Sequence, residues 1–366
     1  MSDDASGSAI AERGLAGAAE TVASFEEERL SPLRRIQHFF HLYPTTIPAI
    51  ILVLSVVVFA IVTGGRFFSP LNLSLILTQV TLIALLGTAQ TLVIITAGID
   101  LSVGAMMVLS SIVMGKLSVD FGIPAPLSLL IGMATGLACG LFNGLLVTLL
   151  KMPPFIVTLG SWSIFAALVT LVSQAATIRK VDLEAKAPFL LEMGGRVSLG
   201  NGPSGTPAGG PFLMTGSLLM IVIAAAVWYL LSRTAFGRHV YAIGDDPNAA
   251  RLAGIEVNKT LVAVYALAGL LCGIAAWVLI GRVGAVSPLG NQTANLDAIT
   301  AVVIGGTSLF GGRGSIVGTL FGALIVGVFD SGLSLTGVDP LWRQLTVGAL
   351  IIVAVAIDQW IRRVSS

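Results

Sequence analysis

Charge is scarce in this chain of 366 residues. Asp, Glu, Lys and Arg together make up 11%, the net charge is +1, and aromatic residues reach only 7%. So small a net charge removes the basic footprint that nucleic-acid binding requires, and no nucleic-acid partner is expected. Cysteine is almost absent: Cys139 and Cys272 both sit inside apolar runs, where they read as small packing residues and not as a disulfide or a metal pair. The three histidines, His38, His41 and His239, fall outside the apolar runs and form no ligand spacing. There is no G-x-x-x-x-G-K-[ST] loop, because the one Gly-Lys pair, Gly115-Lys116, runs on into Leu117. Neither H-E-x-x-H nor G-x-S-x-G occurs, so the chain lacks the metal pair or nucleophile motif of an intramembrane enzyme.

What is abundant is apolar sequence. Hydrophobic residues are 55% of the chain, which points to an all-α, polytopic transmembrane bundle. Ten spans are expected, at 45–63, 73–96, 101–117, 127–150, 155–176, 212–231, 260–280, 296–309, 316–335 and 341–360. The third and eighth are short and adjoin glycine-rich breaks, which suits discontinuous or re-entrant segments. Residues 1–44 carry no basic start running at once into an apolar stretch, and read as a disordered cytoplasmic tail outside one membrane domain over 45–363.

Basic residues set the orientation. Arg34, Arg35, Lys151, Arg233, Arg238, Arg251, Lys259, Arg313, Arg362 and Arg363 share one side if there are ten spans, which puts both termini in the cytoplasm. Arg179, Lys180, Lys186 and Arg196 run against this bias in a long external loop, 177–211, expected to be irregular because of its Gly and Pro content.

The most informative stretch is 301–329. Gly305, Gly306, Gly311, Gly312 and Gly314 break an otherwise membrane-compatible run around Arg313. Each glycine costs about 1 kcal/mol of helix stability relative to alanine, so an anchoring helix has no use for them. Broken helices are tolerated where backbone is packed in protein or lines a cavity, and here they suggest a transport pathway. A second broken segment, 95–104, lies in the first half of the chain, and such a pair points to a site between two structural halves. The cytoplasmic loop 233–259 predicts a two-turn helix over 247–253: Asp246 is the N-cap, Pro247 the first helical residue and Gly254 the residue past the end. Asp245 and Asp246 complement its dipole. Ala249, Ala250 and Ala253 offer a small-residue surface that could seat in a groove of a cytoplasmic motor, although an ordinary capped connector would look the same.

AGIDLSVGAM (97–106), DDPNAARLAGI (245–255) and AVVIGGTSLFGGRGSIVGT (301–319), in this order and spacing, resemble the permease subunits of monosaccharide ABC importers, the ribose, xylose and fructose type of the branched-chain-amino-acid/ribose permease superfamily. KMPPFIVTLG (151–160), DDPNAARLAG (245–254) and AVAIDQWIR (354–362) are most similar to the fructose-type members. The resemblance covers about 45–363. It implies a homodimeric pathway in the bacterial inner membrane, a separate ATPase below it that binds ATP and magnesium, and a periplasmic sugar-binding protein above. The permease itself would bind no cofactor, and lipid would surround it. The helix with Asp245, Asp246, Pro247, Ala249, Ala250 and Gly254 around it would then couple to the ATPase.

Pathway or gate candidates are Asp100, Ser102, Asn143, Phe155, Asn295, Asp297, Gly305 and Gly306. Asp100 either lines the pathway or N-caps the third span. Asn143 and Asp330 suit interhelical hydrogen bonding, and Asn295 and Asp297 suit capping or substrate contact. Phe155, after Pro153-Pro154, marks a gate or simply a helix start. Asp358 and Arg362 form an i, i+4 surface pair. A secondary transporter is the competing class, and it would need a buried ionisable relay.

Overall fold

The computed structural model describes residues 45–201, 210–291 and 293–339, with isolated positions beyond 340. The tail expected over 1–44, most of the span expected over 341–360, and the Asp358–Arg362 pair lie outside the described residues. Twelve α-helices are described: α1 Thr46–Thr63, α2 Pro70–Ile95, α3 Val103–Val119, α4 Ala125–Leu149, α5 Pro154–Ser173, α6 Lys180–Lys186, α7 Thr215–Arg233, α8 Ala235–Asp245, α9 Pro247–Leu252, α10 Val257–Val283, α11 Ala294–Ile304 and α12 Ile316–Leu335. Seven of them (α1, α2, α4, α5, α7, α10 and α12) are long and apolar enough to cross a membrane, while α3 and α11 are shorter apolar helices. The 11 residues of α11 rise about 16 Å, half of a hydrocarbon core of about 30 Å.

Local signals fix where helices begin. The Ser69 side chain accepts from the Asn72 amide at the head of α2, with Pro70 in the first helical position. Pro154 opens α5 in the same way, and Ser315 caps α12 by accepting from Gly318 N–H at 3.0 Å.

The closest helix pair is α4 with α10. Gly136 and Gly140 of α4 meet Gly269 and Gly273 of α10 so closely that a β-carbon at either α4 position would overlap α10 backbone, the carbonyl of Gly269 or of Tyr265. Gly132, Gly136, Gly140 and Gly144 recur every four residues and so lie along one face. In lipid, where apolar surface gains nothing by meeting other apolar surface, close backbone approach is what drives helices together. Around this pair the core takes in α2, α3, α11 and α12. α1 and α5 turn apolar side chains such as Val53, Leu54, Ile61, Ile156 and Leu171 outwards, as a lipid-facing surface requires. α1 is held by Phe59, whose ring meets Phe329 of α12 edge-on at 5.4 Å.

Three expectations are corrected. The segment 177–211 is not wholly irregular: α6 and a 3-10 helix, Pro188–Gly194, fold onto the bundle through buried Leu183 and Leu190. Further on, β1 Arg196–Ser198 pairs antiparallel with β2 Phe212–Met214, so the sixth span begins at Thr215. The Gly and Pro content that suggested an irregular loop is concentrated after Leu199, whereas apolar residues earlier in the segment pay their own way by packing. The third span starts at Val103 and the eighth ends at Ile304, because the chain leaves helical geometry at the broken segments.

Candidate transport and coupling site

The two broken segments meet. Gly312 N–H donates to the carbonyl of Ile95 at 2.9 Å, so the glycine loop between α11 and α12 closes over the end of α2. Gly306, Gly311 and Gly312 all take positive φ there, between 71° and 85°, where a β-carbon is strained. The loop is also laced to itself, with Ser308 N–H donating to Arg313 O at 3.0 Å and Gly311 N–H to Ser308 O at 3.1 Å. Gly305, at the end of α11, packs on the Gly318 carbonyl of α12. Thr91 and Thr319 share a 2.6 Å hydrogen bond between α2 and α12 just inside this junction.

From Thr96 the chain turns back into the bundle and delivers Asp100 and Ser102, both with no exposed surface. The amide and hydroxyl of Ser102 donate to Asp100 Oδ1 at 2.7 and 2.6 Å. Asn143 of α4, equally buried, donates from Nδ2 to Ser102 Oγ at 2.9 Å and to Asp100 Oδ2 at 3.5 Å. Asp100 is therefore not the N-cap of α3, a position held by Ser102, but the acceptor of a three-residue node that ties the break to α4. Thr158 of α5 extends the node by donating to Ile99 O at 3.0 Å, and Asn295 of α11 donates to Leu101 O at 3.1 Å. Asn295 thus neither caps its helix nor points to free space; it fastens the half-length helix to the break. Tyr265 of α10 brings its hydroxyl beside Gly98, and that hydroxyl has no hydrogen-bond partner among the described residues.

The loop predicted to hold a short capped helix does hold one. Asp246 Oδ1 accepts from the amides of Asn248 (2.7 Å) and Ala249 (3.2 Å), Pro247 opens α9, and Gly254 follows its end with φ +84°. Ahead of it stands α8, which the sequence reading missed. Its signal is Thr234, whose side chain accepts from Gly237 N–H at 3.3 Å as an N-cap. α8 touches both breaks. A β-carbon on Gly244 would overlap the Ile95 carbonyl and stand 2.6 Å from Gly312 N. The Tyr241 hydroxyl donates to Gly314 O at 2.8 Å, and burial pushes its phenol pKa up, so it stays a donor.

The remaining candidates divide. Asp245, Asp246, Pro247 and Ala249 are exposed on the outer side of α9, together with Leu252, which is 91% exposed and which sequence reasoning passed over. Ala250 faces inwards instead, packed with Ile243 and Val257. Phe155 is half exposed at the head of α5 and does not join the Asp100 node. Asp297 lines a separate cavity with Asp330 and Arg282, so Asp330 is not simply an isolated helix-to-helix contact. Lys151 and Arg251 border one groove at the end that carries α9, which agrees with their expected common side.

Comparison with known proteins gives the chain its kin. Residues 72–355 match the family described as branched-chain amino acid transport system / permease component. The fructose import permease of Rhizobium meliloti is 51% identical over 355 residues, covering 97% of this chain and 96% of that one. The ribose import permease of Bacillus subtilis is 37% identical over 83% of this chain and 89% of its own length. The xylose transport system permease of Escherichia coli K12 is 34% identical over 82% and 88%. No solved structure matches the chain. With its apolar helices, this kinship makes the chain a multi-pass inner-membrane transport component and not an enzyme. On these matches the chain belongs to the branched-chain amino acid transport system permease family.

Proposed function

We propose that this chain is the membrane subunit of an ATP-driven importer whose cargo is a monosaccharide, fructose first and ribose or xylose next. Two copies form the pathway, a cytoplasmic ATPase docks on the exposed side of α9, and a periplasmic sugar-binding protein delivers the cargo. Both termini lie in the cytoplasm. The preference for fructose is supported by the identity with the fructose import permease, which exceeds that with the ribose and xylose permeases.

The observation that carries the reading is the contact of α8 with both breaks. A force applied to α9 passes through the rigid turn at Asp246 to Gly244, and from there to Ile95 and Gly312. Moving these two carriers moves the heads of α3 and α12 together, and with them the Asp100–Ser102–Asn143 node. A pathway of this kind needs no tight sugar site, because a binding protein supplies recognition. The absence of a phosphate loop assigns hydrolysis to the partner.

The test is uptake into proteoliposomes holding the permease with its ATPase and binding protein, ATP enclosed, across fructose, ribose and xylose. Uptake that needs all three components and ATP supports the reading and names the sugar. Gradient-driven uptake by the permease alone overturns it.

A further inference from the structure

Away from the Asp100 node, α2, α3, α10, α11 and α12 border a partly open cavity of about 210 Å³. It lies toward the end of the bundle opposite α9, since Arg282 stands at the far end of α10 and Asp330 near the far end of α12. Its polar lining is Gln79, Arg282, Asn291, Asp297 and Asp330, and the rest is aliphatic, including Ala294. Gln79 Oε1 is buried and has no hydrogen-bond partner among the described residues. A buried acceptor without a donor is costly, so this wall calls for a donor from whatever fills the space.

The mixture of groups selects the occupant. A free cation would face the Arg282 guanidinium, and an anion would face two carboxylates. A neutral molecule rich in hydroxyls meets both, since each hydroxyl donates to Gln79 or a carboxylate and accepts from arginine or an amide. The volume is of the order of one monosaccharide ring. No aromatic ring lines it among the described residues, so strong stacking is not part of this wall, which suits a station that must release its cargo.

We propose that this cavity is a low-affinity monosaccharide site within each permease subunit, on the side where cargo is delivered. The inference rests on the importer reading above and adds a place for sugar that the pathway between two copies does not require.

The test uses the complete importer in proteoliposomes. Ala294→Cys places a thiol on the cavity wall, and its labelling by a small methanethiosulfonate is followed with and without fructose, ribose, xylose or sucrose. The transported monosaccharide is expected to slow labelling about tenfold and sucrose to leave it unaltered. Ala294→Leu, which fills the space without changing polarity, is expected to lower uptake about tenfold. Labelling that ignores every sugar, or wild-type uptake by Ala294→Leu, overturns the site while uptake by the unaltered importer leaves the function standing. Protection by sucrose as well as by monosaccharide overturns a site fitted to a single sugar ring. Absence of uptake by the unaltered importer for every sugar removes both proposals.

Discussion

Gly312 donates its amide to the carbonyl of Ile95 at 2.9 Å, and the two residues come from opposite halves of the chain. Ile95 is the last residue of α2, and its carbonyl has no acceptor role left within the helix. The glycine loop satisfies that carbonyl and at the same time brings Gly311 and Gly312 against Ala97, Gly244 and Asp245. One hydrogen bond therefore marks the place where two helix breaks and the loop carrying α9 become a single mechanical unit.

Gly244→Val tests that unit. The added side chain has to displace the Ile95 carbonyl, and such overpacking costs on the order of 1–3 kcal/mol. Uptake is expected to fall at least about tenfold, with ATP hydrolysis no longer answering to sugar-loaded binding protein. Hydrolysis that still responds, together with intact uptake, would remove Gly244 from the coupling route.

Two neighbours on α9 should behave in opposite ways. Ala250→Arg forces a charge into the cluster of Ile243 and Val257, and the permease should be lost from the membrane or melt earlier, a folding defect of several kcal/mol. Leu252→Glu changes a side chain that is 91% exposed, so stability should stay within about 0.5 kcal/mol while co-purification of the ATPase drops about tenfold. Full ATPase retention by Leu252→Glu would place the docking surface elsewhere.

Asn143→Leu withdraws the amide that donates to Ser102 and Asp100. Leaving those buried oxygens without it should cost about 1–3 kcal/mol, read as a lowered melting temperature in detergent. Asn143→Asp sets a second carboxylate beside Asp100 and should be worse. An unshifted melting temperature in both variants would mean that the node bears no stability.

Glycines of similar appearance should diverge sharply. Gly140→Leu drives a side chain into the Tyr265 carbonyl and should prevent α4 and α10 from packing, seen as aggregation on size exclusion. Gly160→Ala in α5 meets nothing within 4 Å, and alanine favours helix by about 1 kcal/mol, so stability should hold or rise. Equal tolerance at both positions would contradict the close approach of α4 and α10.

Much of this molecule is legible one residue at a time. Apolar runs of about 20 residues must cross lipid as helices, because the hydrocarbon core offers no other partner for backbone amides. Asp246, Pro247 and Gly254 mark α9 because caps and first-turn prolines act within a few residues of themselves. The glycines at 305–314 announce a break for the same local reason, and the spacing of Gly132, Gly136, Gly140 and Gly144 was there to be read as a packing face.

What the sequence by itself determined, then, is that the chain is a membrane bundle, where its helices break and where its short capped helix α9 lies. Tertiary structure alone decided which break meets which. The Asp100–Asn143 contact spans 43 residues and the Asn295–Leu101 contact 194, and no periodicity links such positions. It also turned Ala250 inwards and Leu252 outwards, and gathered Gln79, Arg282 and Asp297 around one cavity. The physical reason is that caps and helix lengths are settled by neighbours in sequence. The facing of a side chain is settled by which helices can approach closely enough to exclude lipid and satisfy every buried polar atom.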